Sequence, residues 1–317
     1  MTDHPVLRTA TESDVPALRI LARAALVHDD DAEEVFDLLW RQSADRPSLR
    51  IVAELDGEPA GLALGALSAA TERTPATGYI DLLAVHPSQQ SRGTGRALTA
   101  RLEELLSQAG VERLMLRGRP PYYAWPGIDI RYTRAICLAG SSGYTRGPDG
   151  LNLHVDLVTA PLDTAADEER LAAAGVRIRR LTPADEKPFL TWMRQWGGSW
   201  DGEAAGALAH DPPRGHVAVR ETAGVEGSDG SADRDGFVYV GFACHGVNRR
   251  SWFGPMGTDA SERGLGVGTV LLRRCLADQR AAGLDHAEIG WTGPIHFYAR
   301  AVDARLGRVF WTYSKSI

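Results

Sequence analysis

The chain has little cysteine, no long apolar run and no cationic excess, and each shortage closes off a class of protein. Its three cysteines, Cys137, Cys244 and Cys275, are odd in number and far apart in 317 residues. That spacing supports neither a disulfide framework nor a zinc site, and the apolar surroundings predict buried, reduced thiols. Apolar stretches such as 61–67 fall well short of the roughly 20 residues that span a bilayer. The start, Met-Thr-Asp-His-Pro, has no basic segment followed by an apolar one, so no secretory signal is read and a cytoplasmic location is expected. A formal charge of −6 offers no cationic footprint for nucleic acid. What remains is a globular composition, 44% hydrophobic and 24% charged, long enough for two domains of about 150 residues each.

The sequence repeats itself. Gln90-Ser-Arg-Gly93-Thr-Gly95 and Arg263-Gly-Leu-Gly266-Val-Gly268 share a [Q/R]-x-x-G-x-G turn, each ahead of an apolar helix. Upstream, Arg8-Thr-Ala-Thr11-Glu-Ser-Asp14 and Arg179-Arg-Leu-Thr182-Pro-Ala-Asp185 share R-x-x-T-x-x-D. The interval from first Arg to turn is 90 − 8 = 82 residues in one copy and 263 − 179 = 84 in the other. Matching patterns in the same order at nearly the same interval predict two copies of one domain.

The boundaries follow: a first domain at 1–158, a linker with room for one short helix at 159–175, and a second domain at 176–317. In the first, a strand at 5–9 leads to Thr11, an N-cap with Asp14 at N3, and a helix to about 27. A helix at 31–42, a hairpin of strands 50–54 and 59–66 about Asp56-Gly57, and a strand at 78–85 come next. A helix at 96–108, a strand at 111–116, a helix at 130–141 and a strand at 151–157 complete it. The second copy repeats the order, with helices at 183–195, 202–209, 270–281 and 295–301 and strands at 176–181, 215–221, 237–245, 251–257 and 286–291. A hairpin tip is expected at 224–236.

A strand, a glycine turn opening a helix, a further strand and a helix bearing an aromatic resemble the GNAT superfamily of N-acetyltransferases, in both halves. The resemblance implies an α/β (α+β) fold of two tandem domains, each a mixed, mostly antiparallel twisted sheet flanked by helices, and acetyl-CoA or another acyl-CoA as co-substrate. Small residues let a backbone approach a diphosphate, and amides at the helix N-terminus donate to its oxygens. The cradle is expected at Arg263, Gly264, Leu265, Gly266, Val267, Gly268 and Thr269, with the strand backbone of Met256, Gly257 and Thr258 meeting the thioester. Gln90, Gly93, Gly95 and Arg96 are a possible second cofactor site. Neither turn has the G-x-G-x-x-G spacing of a dinucleotide fold, and no Gly-Lys-Ser/Thr marks a P-loop.

The resemblance also implies a tyrosine that protonates the departing thiolate. Tyr298 stands at that place in the second half, whereas the first has Ala139, so the second is expected to be catalytic and the first degenerate. An amine attacks only when unprotonated, and Glu288, between Ala287 and Ile289, is the proton acceptor expected from its apolar setting. Trp196, Trp200, Asp201, His245 and Trp291 are the expected acceptor contacts, with Glu203 nearby: indole faces suit sugar rings and carboxylates suit ammonium groups. Within the superfamily the second half is most similar to tandem bacterial enzymes acting on amino sugars such as glucosamine. Arg273 and Arg274 are candidate phosphate ligands. An acyl carrier protein, docking on a rim of Arg249, Arg250, Arg300, Arg305 and Arg308, is an alternative donor, and a non-catalytic acetyl-CoA sensor is another reading.

Overall fold

In the computed structural model, which describes residues 5–72, 74–221 and 236–317, both R-x-x-T-x-x-D segments make the same joint. Arg8 donates to both carboxylate oxygens of Asp14 at 2.8 and 2.7 Å, and Asp14 accepts the Thr11 amide at 2.7 Å. Arg179 grips Asp185 at 2.8 and 2.6 Å, and Asp185 accepts the Thr182 amide at 2.8 Å. Each is a capping box whose acid is also salt-bridged to the strand before it, which fixes the angle at which the chain leaves that strand.

The strands and helices are, in chain order, β1 (Val6–Thr9), α1 (Val15–Ala25), α2 (Ala32–Gln42), β2 (Arg50–Leu55), β3 (Glu58–Ser68), β4 (Thr77–Val85), α3 (Thr94–Gln108), β5 (Arg113–Met115), β6 (Ile128–Asp129), α4 (Thr133–Ser141) and β7 (Thr145–Asp156). Then follow α5 (Ala165–Ala173), β8 (Val176–Arg180), α6 (Glu186–Met193), α7 (Trp200–Leu208), β9 (Gly215–Glu221), β10 (Phe237–His245), β11 (Trp252–Thr258), α8 (Val267–Ala281), β12 (His286–Ile289), α9 (Ile295–Val302) and β13 (Arg305–Ser316). The turn at Asp56-Gly57 has positive φ at both residues, 52° and 81°, as a tight hairpin requires. The tip expected at 224–236 lies, apart from Gly236, outside the described residues. No described helix is long and apolar enough to cross a membrane.

Contacts divide the chain into Met1–Gly150 with Val309–Ile317, and Leu151–Arg308. In the first unit the strand order is β1-β2-β3-β4-β5, with β13 added beside β5; in the second it is β8-β9-β10-β11-β12, with the latter part of β7 beside β12. Neighbours are antiparallel except β4–β5 and β11–β12. The division differs from the expected cuts at 158 and 176. Each unit takes its last strand from the sequence of the other copy, and long-range pairing of this kind leaves no local signal. The segment expected as a linker carries α5, whose Leu171 is fully buried in the second unit's core. The strand at 305–316 was not anticipated from sequence, and Cys137 is exposed while Cys244 and Cys275 are buried.

Helices α8 and α9 cover one face of the second unit's sheet through Val270, Leu271, Cys275, Ala301 and Val302, packed with Ala243, Phe253, Ala287 and Ile289. On the other face α6 and α7 pack through Phe189, Trp192, Ala204 and Ala207 against Tyr239 and Phe242.

Burial alone would push the Asp185 carboxyl up, but donation from Arg179, Tyr239 and Thr182 outweighs it and brings its pKa down to about 2. A folded pKa below the unfolded one, about 3.9, stabilises fully above the unfolded value and is lost as pH falls from about 4 through about 2. Asp185→Asn is therefore expected to lower stability at pH 7 by about 3 kcal/mol and to flatten the acid limb of a urea-midpoint titration between pH 4 and 2.

Candidate active site

Strands β11 and β12 run together only at Trp252↔Glu288 and Phe253↔Ile289, and the last bond between them is Gly290 N–H to the Phe253 carbonyl at 3.3 Å. Beyond it β11 bulges: its register with β10 slips between Ala243 and His245, at Gly254-Pro255, where proline has no N–H for a ladder. Met256, Gly257 and Thr258 stay paired with Ala243, Phe242 and Gly241 of β10, and among the described residues no strand pairs with their other edge. This makes a wedge with one row of backbone groups exposed along it. In the first unit β4 and β5 likewise pair from Thr77↔Arg113 to Tyr79↔Met115 and then part.

The turn ahead of α8 has Gly264 at φ 90° and Gly266 at φ 88°, conformations that cost a residue with a Cβ about 1–2 kcal/mol. Thr269 and Val270 both donate to the Gly266 carbonyl, at 3.0 and 3.2 Å. The earlier amides of the turn therefore stand at the positive end of a 15-residue helix, where an anion is favoured. A Cβ on Gly268 would lie 3.4 Å from Met256 Cε, 3.5 Å from Thr258 Oγ1 and 3.5 Å from Phe297 Cζ, so turn, strand and α9 converge there. Two arginines brace the loop. Arg170 of α5 donates to the Leu265 carbonyl at 2.6 Å and to Asp167 at 2.8 Å, and Arg220 of β9 grips buried Glu262 at 3.0 and 2.7 Å.

Arg263 is exposed at the mouth of this turn. Arg273 and Arg274 do not meet the expectation of phosphate ligands: Arg273 donates to the Ala301 carbonyl at 3.1 Å, and Arg274 grips Glu168 at 2.7 and 2.5 Å. Both guanidiniums are engaged by α9 and by the acids of α5.

Tyr298 is 7% exposed and stands edge-on to Phe253, the last paired residue of β11, with ring centroids 6.4 Å apart. Burial raises its pKa above the ordinary 10, against a smaller pull from the Thr292 hydroxyl, so the phenol keeps its proton at neutral pH. Glu288 differs from the apolar setting expected of it. Alternation along β12 sends Ala287 and Ile289 into the core under α8 and Glu288 to the opposite face, where it accepts from Asn152 Nδ2 at 2.7 Å and lies 3.7 Å from Arg308 Nη1. Fully buried Asn152 also accepts the Trp291 amide at 2.8 Å. Trp291 is 42% exposed with φ 45°, a strained conformation for a bulky residue.

Of the expected acceptor contacts, Trp196 and Trp200 flank Phe242 at centroid distances of 5.6 and 5.9 Å, on the α6–α7 face. Asp201 is exposed and accepts the amide of Gly202 at 2.9 Å. His245 does not belong to this group: it lies 3.4 Å from Asp278 of α8, because the β10 pleat turns it to the same face as Ala243. Glu203, which sequence placed merely nearby, is 8% exposed; burial pushes its carboxyl up to about 7 against the pull of Asn248 and Ser199. The proposed arginine rim is incomplete, since Arg249 is buried over the Trp252 ring and Arg308 is drawn to Glu288.

The first unit keeps the turn. Gly93, at φ 94°, caps α3, but Gln90 donates to the Val85 carbonyl and accepts from Arg134, both at 3.1 Å, and Arg96 reaches Ser141 at 3.3 Å. Leu138 of α4 would be 3.2 Å from a Cβ on Gly95, and Ala139 beside it is buried. Asp81, in β4 past the point where the strands part, was not singled out from sequence; a lone acid in an apolar strand was the available signal. Burial pushes its carboxyl up to about 7 against the Arg119 amide, which donates to it at 2.8 Å.

Residues 15–123 match the Acetyltransferase (GNAT) family profile. An L-2,4-diaminobutyric acid acetyltransferase of Nocardia farcinica is 31% identical over 109 residues, 34% of this chain and 53% of the relative. A mycothiol acetyltransferase of Thermomonospora curvata is 29% identical over 289 residues, 86% of this chain and 83% of the relative. A glucosamine N-acetyltransferase region of a fungal multi-domain β-N-acetylglucosaminidase shares the fold over 98% of this chain and 38% of that one, with a TM-score of 0.75 at 16% identity. The chain thus spans about half the length of the first relative and less of the fungal protein.

A methyl group on Gly266 would have to adopt φ 88° and would stand 2.9 Å from Arg170 Nη2. Gly266→Ala is expected to cost about 1–2 kcal/mol, read as a lower denaturant midpoint.

Proposed function

We propose that this chain, whose residues 15–123 match the Acetyltransferase (GNAT) family, is an N-acetyltransferase that moves an acetyl group from acetyl-CoA to the primary amine of a small molecule, an amino sugar such as glucosamine. The observation that carries the reading is the β11–β12 wedge, which opens beside a glycine-turned helix N-terminus and whose last paired residue, Phe253, packs edge-on against Tyr298. In a ternary complex the turn's amides hold the diphosphate and the free edge of Met256 to Thr258 receives the thioester carbonyl. The amine nitrogen attacks the carbonyl carbon, a C–N bond forms, and the C–S bond breaks as the tetrahedral centre collapses. Tyr298 gives its proton to the departing sulfur. Glu288, held by Asn152, meets the acceptor's ammonium.

Burial-raised Glu203 is the carboxylate suited to taking the amine's proton near neutral pH. The amino-sugar assignment is supported by the partly buried indoles of Trp196 and Trp200, packed on Phe242, and by Trp291, exposed two residues past β12. It is also the acceptor named for the fungal region of like fold.

A second reading puts the chemistry in the first unit. It is favoured by Asp81 in the β4–β5 wedge and by the family match falling on that half.

Thiol release from acetyl-CoA over a panel of amines, glucosamine and 2,4-diaminobutyrate included, tests both. Tyr298→Phe is expected to lower kcat about 100-fold with KM within twofold, and Asp81→Asn to leave both within twofold. The reverse pattern would move the active site to the first unit. Acetyl-CoA binding in calorimetry with no thiol release for any amine would make the chain a sensor.

A further inference from the structure

We infer that Trp196 limits the donor's acyl group to two carbons. This rests on the β11–β12 wedge being the thioester site, as proposed above, and adds which acyl chain that site accepts.

Gly257 lies on β11 within the wedge, opposite Phe242 of β10. A Cβ at Gly257 would come within 2.8 Å of Trp196 Cη2 and Cζ3 and of Phe242 Cε1. The far edge of the indole therefore rests against the β11 backbone where the acyl carbonyl is received. On the opposite face Met256 Cε and Phe297 Cζ stand 3.4 and 3.5 Å from where a Cβ on Gly268 would lie. An acyl chain leaving the carbonyl meets a wall on either side.

The indole has little freedom to swing aside. Its ring is packed at centroid distances of 5.7 Å from Trp192, 5.6 Å from Phe242 and 6.1 Å from Trp200. Behind it the chain turns through Gly197 and Gly198, both at positive φ. Its buried Nε1 has no hydrogen-bond partner among the described residues. Packing alone holds the ring, and shortening it leaves no other group unbonded. A wall of this kind discriminates by volume, about 10-fold or more per methylene.

The test compares kcat/KM for acetyl-, propionyl- and butyryl-CoA, with the amine the wild type uses best, in wild type, Trp196→Phe and Trp196→Ala, with melting temperatures in parallel. The wild type is expected to lose about 10-fold for each added methylene. The butyryl-to-acetyl ratio should rise from wild type to Trp196→Phe to Trp196→Ala, by at least about 10-fold in the last. A loss of packing alone lowers all three donors together and leaves the ratio where it was. An unchanged ratio in Trp196→Ala overturns the inference while acetyl transfer by the wild type still stands. If the wild type uses no donor, the proposed function has failed, and dissociation constants for the same three thioesters, measured by calorimetry on the same variants, decide the inference by the same ratio.

Discussion

The site depends on two parallel strands that pair for two residues and then part. Parallel neighbours normally keep their ladder, because each unpaired backbone group costs free energy when water cannot reach it. Here the β11 bulge at Gly254-Pro255 ends the ladder. It leaves the edge of Met256 to Thr258 beyond the last paired residues of β12, and under the proposed function a thioester bonded there would replace the missing strand. The helix behind supplies the other half of the arrangement, since its first amides have no intrahelical acceptor. A wedge without that helix would hold an acyl group with no handle on its carrier.

Such a loop needs support, since two left-handed glycines one residue apart, Gly264 and Gly266, are inherently loose. Arg170 and Arg220 supply it from α5 and β9 by gripping the Leu265 carbonyl and the Glu262 carboxylate. Neither arginine needs to touch a ligand. Each fixes the direction in which the turn's amides point, and that direction decides whether binding free energy goes into ordering the loop or into affinity. The acids of α5 act similarly by holding Arg273 and Arg274 against the flank of α8.

What could be read from sequence was local. The glycine turns, the Arg-x-x-Thr-x-x-Asp joints and the Asp56-Gly57 hairpin each specify backbone conformation within a few residues, and all three formed where their spacing placed them. That Tyr298 lies on a helix after β12 was legible from the same spacing. The misses are long-range. Asn152, which bonds both Glu288 and the Trp291 amide, lies in sequence that patterning assigned to the other copy. The surroundings of His245 and Glu288 were long-range too: His245 meets Asp278 of α8, and Glu288, which alternation along β12 sends away from Ala287 and Ile289, meets Asn152 and Arg308 from distant sequence. Glu203 was placed only near the acceptor, since its desolvation depends on Asn248 and on how closely α7 packs.

The two copies keep the same backbone device and distribute its acids differently. In the first unit a desolvated carboxyl is carried by the parting strand itself, as Asp81, two residues past the last paired Tyr79. In the second the residue two past Phe253 is Pro255, and the comparably desolvated carboxyl comes from α7, as Glu203. Burial raises both to about 7, and at the helix position where the resemblance implies a proton donor for a leaving thiolate the second unit has Tyr298 and the first Ala139. A C–S bond breaks readily where the sulfur can be protonated as it leaves. That asymmetry is the ground on which acyl transfer is proposed for the second unit.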